Sequence, residues 1–94
     1  MTLQFLRKII ERHKLYSDCH TVHYQNNGPQ YFGYKVWLKN GWWFKTAFLA
    51  VTPVNCPNDI TIVGSNGDYD KLEEFAIFLS DYGFKIESIE IGQV

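Results

Sequence analysis

What this chain lacks narrows its chemistry before anything else does. No apolar run reaches the roughly 18–20 residues that cross a bilayer, so no membrane partner is expected. The N-terminal residues carry charges throughout and offer no uninterrupted apolar segment of the secretory-signal kind. Glycosylation and lipidation motifs are absent as well, which makes the cytoplasm, or a host cytoplasm for a phage-encoded chain, the expected compartment. Cysteine is scarce: Cys19 and Cys56 are the only two. In a chain of this size without a secretion signal they read as free thiols, not as a disulfide framework. There is no internal repeat and no low-complexity segment.

Recognisable catalytic and cofactor motifs are also missing. Zinc would have to draw on Cys19, His20, His23 and Cys56, yet on a strand Cys19 and His23 share a face while His20 points away, and no CxxC pair exists. A cysteine nucleophile needs a histidine beside it held by a third group, and adjacency of Cys19 and His20 in sequence makes their side chains diverge. Asp68, Asp70, Glu73 and Glu74 cluster where a helix begins, so capping and solvation account for them. Gly64-Ser65-Asn66-Gly67 precedes that helix in a position suited to an anion but matches neither the P-loop nor the dinucleotide fingerprint. No metal, cofactor or catalytic residue is assigned.

What is present is a globular composition, 46% hydrophobic and 20% charged, in 94 residues, enough for one domain, residues 1–94, with a single core. Its richest stretch is Tyr31 to Val51, read as two strands joined by Asn40-Gly41. A type I′ turn needs positive φ at both central residues, which Asn tolerates and Gly accepts freely. That turn sets Leu38 opposite Trp43 and Lys39 opposite Trp42. Alternation then puts Phe32, Tyr34, Val36, Leu38, Trp43, Ala47, Leu49 and Val51 on an expected core face, with Lys45 its only charge. The other face takes Tyr31, Gly33, Lys35, Trp37, Lys39, Trp42, Phe44, Thr46, Phe48 and Ala50. A second layer covering it, a protein interface, or a stacking platform for single-stranded nucleic acid would each explain such a mixture of aromatics and lysines.

Around the hairpin, residues 2–16 show the spacing of an amphipathic helix, with Thr2 as N-cap and His13 on or beside the buried stripe. Cys19 to Gln25 alternates weakly as a first strand, with His20, Val22 and Tyr24 on one side. Asn26 to Pro29 is a loop, and Thr52 to Asn58 an irregular connection in which Pro53 ends the preceding strand. Asp59 to Val63 is a short β-rich run. A second helix opens with Asp70 and Glu73 in capping-box spacing, buries Leu72, Phe75, Ala76 and Leu79, and stops at Gly83. Lys85 to Ile91 reads as a last strand whose apolar phase changes between Ile86 and Ile89, as a bulge or an edge position would require. The expected class is α+β, order α-β-β-β-β-α-β, with a mostly antiparallel sheet of four or five strands. Both helices can cover one face of it, or one can cover each.

Charge is divided along the chain. Residues 1–45 hold seven Lys and Arg against two acids, and residues 46–94 two Lys against eight acids, so the halves carry +5 and −6. They form a dipole if they stay apart in space and cancel if they face each other.

The leading helix, three antiparallel strands and later helix resemble the order of double-stranded RNA-binding domains, with Gly28-Pro29 in a comparable loop. That family opens its second helix with lysines, where this chain has Asp68, Asp70, Glu73 and Glu74; the resemblance is one of topology and opposes that activity. The aromatic strand face is similar to that of RNA-recognition folds, but their glycine-and-aromatic third-strand signature is missing. The expected function is therefore non-enzymatic binding of another protein, or self-association as a homodimer, through Tyr31, Lys35, Trp37, Lys39, Trp42, Phe44 and Phe48. A regulator or inhibitor, such as an accessory protein of a phage or mobile element, fits that description. The alternative is a single-stranded nucleic-acid module using the same face with Lys45 and the basic first helix, and a third reading is an enzyme assembled around Cys56, His20 or His23.

Overall fold

The computed structural model describes residues 3–12, 16–25, 28, 30–38, 46–55 and 59–92, apart from the side chains of residues 3 and 16–19. Helix α1 (Leu3–Arg12) forms on the spacing of Leu6, Ile9 and Ile10, which are buried, while Arg7, Lys8, Glu11 and Arg12 stay in solvent. The expected span 2–16 is corrected at its end, because Tyr16 belongs to strand β1 (Tyr16–Gln25), paired with Leu38. Thr2 and His13 lie outside the described residues. Strands β2 (Gln30–Leu38), β3 (Thr46–Pro53) and β4 (Asp59–Gly64) follow, then helix α2 (Tyr69–Asp81) and strand β5 (Lys85–Ile91). The strands lie in sequence order, antiparallel from β1 to β4, with β5 added parallel to β4 through the α2 crossover.

Both ends of α2 show local causes. A 3₁₀ turn at Asn66–Asp68 leads in, held by a 2.8 Å hydrogen bond between Ser65 Oγ and Asp68 Oδ2. The expected capping box is not formed: Asp68 is the N-cap, no side-chain capping bond is made, and Asp70 sits inside the first turn. There its charge still favours the positive end of the helix dipole. At the other end Gly83 adopts φ 95° and donates to the Ser80 carbonyl at 2.9 Å, while the Phe84 N–H donates to the Leu79 carbonyl at 3.1 Å. This is a Schellman motif, and the side chains of Leu79 and Phe84 share the core beside it.

Both helices cover the same face. Leu6, Ile9 and Ile10 of α1 and Leu72, Phe75 and Leu79 of α2 belong to one apolar cluster with Tyr34, Val36, Phe48, Ala50, Ile60 and Ile62 of the sheet. α1 lies over β1 and β2, α2 over β4 and β5. Phe48 meets Phe75 with ring centres 4.6 Å apart.

The pairing of β2 with β3 differs from the expected hairpin. Leu38 pairs with Thr46, Val36 with Phe48 and Tyr34 with Ala50. A two-residue turn would set Leu38 against Trp43; the observed register is three residues away, and Asn40-Gly41 itself lies outside the described residues. An odd shift exchanges the faces of β3. Thr46, Phe48 and Ala50 thus turn to the helices, while Ala47, Leu49 and Val51, expected in the core with Phe32, Tyr34 and Val36, turn to the opposite face. The cause is that β3 is buried on both sides, so Phe48-Leu49-Ala50-Val51 has no alternation to fix its phase.

The β5 phase change corresponds to a register shift against β4, with Ile60 paired to Ile86 and Thr61 to Ser88, on a strand that is also the sheet edge. Asp59 and Lys85 close the start of this pair at 3.7 Å. Gly33 marks the tightest approach between β2 and β3: a Cβ there would collide with the Ala50 carbonyl oxygen and come within 2.7 Å of Val51 Cα. Neither atom belongs to a flexible side chain. Gly33→Ala is therefore expected to cost about 2–3 kcal/mol, as forced overpacking does, read by urea denaturation; a loss below about 0.5 kcal/mol, the range of neutral surface changes, would show that β2 and β3 can separate there.

Candidate protein-interaction face

With both helices on one side, none of the described helices covers the other side of the sheet. Along β2 the residues that point there are Tyr31, Gly33, Lys35 and Trp37, two apart as strand geometry dictates. Pairing brings His20 of β1 opposite Lys35, Val22 opposite Gly33 and Tyr24 opposite Tyr31. On the other flank Ala47, Leu49 and Val51 of β3 lie opposite Trp37, Lys35 and Gly33.

The two ends of this face differ. At one end Leu49, Val51 and Val63 are buried with none of the described helices above them, because Val22, Tyr24 and Tyr31 pack over them. Tyr24 and Tyr31 meet at 5.8 Å with rings tilted by 56°. The Tyr24 hydroxyl also reaches Gly92, just past β5: a Cβ on Gly92 would stand 3.3 Å from it. A residue of one edge strand thus approaches the far edge of the sheet, which requires the sheet to curl about this face. At the other end Lys35 and Trp37 are half-buried and His20 is exposed. The Lys35 Nζ lies 4.9 Å from the Trp37 ring centre, a cation–π geometry. The face is therefore a trough, closed at its tyrosine end and accessible at its lysine–tryptophan end.

No protein-family model, curated protein or solved structure matches this chain. Its geometry carries the functional reading.

Of the residues expected at the site, Tyr31, Lys35 and Trp37 share the uncovered face. Phe48 does not: it is 0% exposed beneath the helices, because the β3 register turns it inward. Lys39, Trp42, Phe44 and Lys45 lie outside the described residues, as does Cys56. The face gains Val22, Tyr24 and His20, whose common side on β1 is legible from alternation but whose side of the sheet depends on pairing with β2. Among the described residues no three His, Cys, Asp or Glu side chains stand close enough to hold a metal ion. None of the described helices is long and apolar enough to cross a membrane.

Burial, then the Glu90 carboxylate, then Tyr31 push the Tyr24 hydroxyl above its ordinary 10.0. A phenol whose folded value is raised contributes stability that is complete below pH 10 and is lost as pH climbs through the higher folded value. Absorbance titration of tyrosinate should show a late-ionising component that disappears in Tyr24→Phe and moves earlier in Glu90→Gln. An unchanged late component in Tyr24→Phe would remove the trough closure from the account.

The two aromatic sites should also separate by stability. Phe48→Ala is expected to cost about 3–5 kcal/mol, as a core phenylalanine does, whereas Trp37→Ala should cost no more than about 1–2 kcal/mol, the scale of a partly exposed ring and its cation–π contact. Urea denaturation of both variants decides it, and the reverse order would place Trp37 in a core.

Proposed function

We propose that this chain acts by binding another protein through the uncovered sheet face, with Trp37 and Lys35 as its centre and Tyr31 and Tyr24 as its rigid wall. The observation that carries this reading is the placement of both helices on the opposite face, so that none of the described helices lies over the aromatic strip. Tryptophan and tyrosine dominate interface energetics because they fill pockets at small entropic cost. A partner would complete the burial that the curl begins, continuing the apolar floor of Leu49 and Val51 across Ala47 and Trp37. Catalysis has no part in the proposal.

Single-stranded nucleic acid is the second reading, favoured by Lys35 beside Trp37, which combines a phosphate contact with a stacking ring. Two features favour protein. The Lys35 ammonium already occupies the ring neighbourhood that a base would take, and Glu90 faces the same trough near Tyr24. Both readings are separated by one set of titrations. Trp37→Ala and Lys35→Glu should release proteins that the wild-type chain retains in affinity capture, without unfolding the chain. A mixed-sequence single-stranded oligonucleotide should leave tryptophan emission unchanged at low and high salt. Quenching that fades steeply with salt, as counterion release demands, would transfer the face to nucleic acid.

A further inference from the structure

The helical layer carries two features that the sheet-face reading leaves unused. The first is a groove of about 210 Å³ between α1 and the end of α2, lined by Phe5, Lys8, Ile9, Arg12 and Tyr82. Its apolar part is aromatic, since Phe5 stacks on Phe84 at 6.1 Å and Tyr82 is exposed. Among the described residues its charges are two cations one helical turn apart, and neither is ion-paired there. The volume is below the ~300–1,000 Å³ typical of small-molecule and cofactor sites, and suits a single side chain.

The second feature is on α2. Ile77 is 62% exposed, on the side of the helix away from the buried Leu72, Phe75 and Leu79. Glu73 and Glu74 lie one turn before it and Asp81 one turn after, all exposed. A lone exposed isoleucine needs no explanation. Here it is an apolar knob ringed by carboxylates, on the same layer as an apolar hole flanked by cations. The chain's division into a basic and an acidic half is preserved in this layer, α1 lying over β1 and β2 and α2 over β4 and β5.

We infer that the chain forms a two-fold dimer through its helical layers, Ile77 of each copy seating between Phe5, Ile9 and Tyr82 of the other, with Glu73, Glu74 and Asp81 against Lys8 and Arg12. Knob and hole are distinct patches on one layer, so a two-fold axis makes the same contact twice and closes the assembly. Opposite charge favours α1 against α2 and disfavours α2 against α2. The sheet faces of the two copies point outward, which leaves both troughs available to the partner proposed above.

Sedimentation velocity of the full chain, over a concentration series at low and physiological salt, tests this. A concentration-dependent dimer that loosens as salt rises is expected. Ile77→Asp should raise its dissociation constant roughly tenfold or more with an unchanged circular dichroism spectrum. Lys8→Glu/Arg12→Glu and Glu73→Lys/Glu74→Lys/Asp81→Lys should each weaken self-association, and an equal mixture of these two variants should restore a dimer, because every charged contact in the mixed pair is again between opposite charges. Trp37→Ala should leave the dimer intact. A chain that stays monomeric up to roughly millimolar concentration, a dimer indifferent to Ile77→Asp, or a mixture that fails to recover would each overturn the inference. Loss of the dimer on Trp37→Ala alone would place it on the sheet face instead.

Discussion

The pairing of Val36 with Phe48 across β2 and β3 is the constraint on which the other features rest. It fixes which side of the central strand meets the helices. Phe48 and Ala50 then join the cluster beneath the helices, and Leu49 and Val51 are left to the other face. β3 is a strand buried on both sides in a chain of only 94 residues, and on it the two apolar clusters stand back to back on adjacent residues, Phe48-Leu49 and Ala50-Val51, as they do again at Ile62-Val63 of β4. A slip by an odd number of residues would put Phe48 into the trough and Leu49 under the helices, exchanging the cores.

From that pairing the asymmetry of the molecule follows. One face has two helices whose apolar stripes complete the larger cluster, and on the other, among the described residues, side chains of the sheet itself bury Leu49, Val51 and Val63. Curling accomplishes this at one end, where Tyr24 crosses toward Gly92, and Gly33 removes the side chain that would obstruct the approach of β2 to β3. The curl does not extend to Lys35 and Trp37, which remain half-buried. The accessible end of the trough is thus the part of the second face that intramolecular packing leaves unfinished, and an unfinished aromatic surface is what an interface uses.

Much of this was legible in the sequence, and the losses have a common cause. The α2 stripe, the Gly83 stop and the phase change in β5 depend on local periodicity, and the structure reproduces each of them. The element order, and the sharing of one face by His20, Val22 and Tyr24, could be read in the same way. The β2–β3 register could not, because turn chemistry at Asn40-Gly41 proposed one answer and the continuous apolar run of β3 offered no alternation to dispute it. Phe48 was misplaced for that reason alone. The trough was invisible for a different one: Tyr24 and Glu90 are far apart in the chain and lie on opposite edge strands, so only the curl of the whole sheet brings them within electrostatic reach. The helix placement likewise depends on two distant stripes choosing the same side.

The register itself is the most direct point of attack. Cross-strand nuclear Overhauser contacts between β2 and β3, in a uniformly labelled sample, read it without reference to any partner. The account predicts contacts joining Val36 to Phe48, Tyr34 to Ala50 and Leu38 to Thr46. Contacts joining Leu38 to Trp43 and Tyr34 to Ala47 would contradict it, since they would return Phe48 to the sheet face and dissolve the distinction between the covered side and the trough.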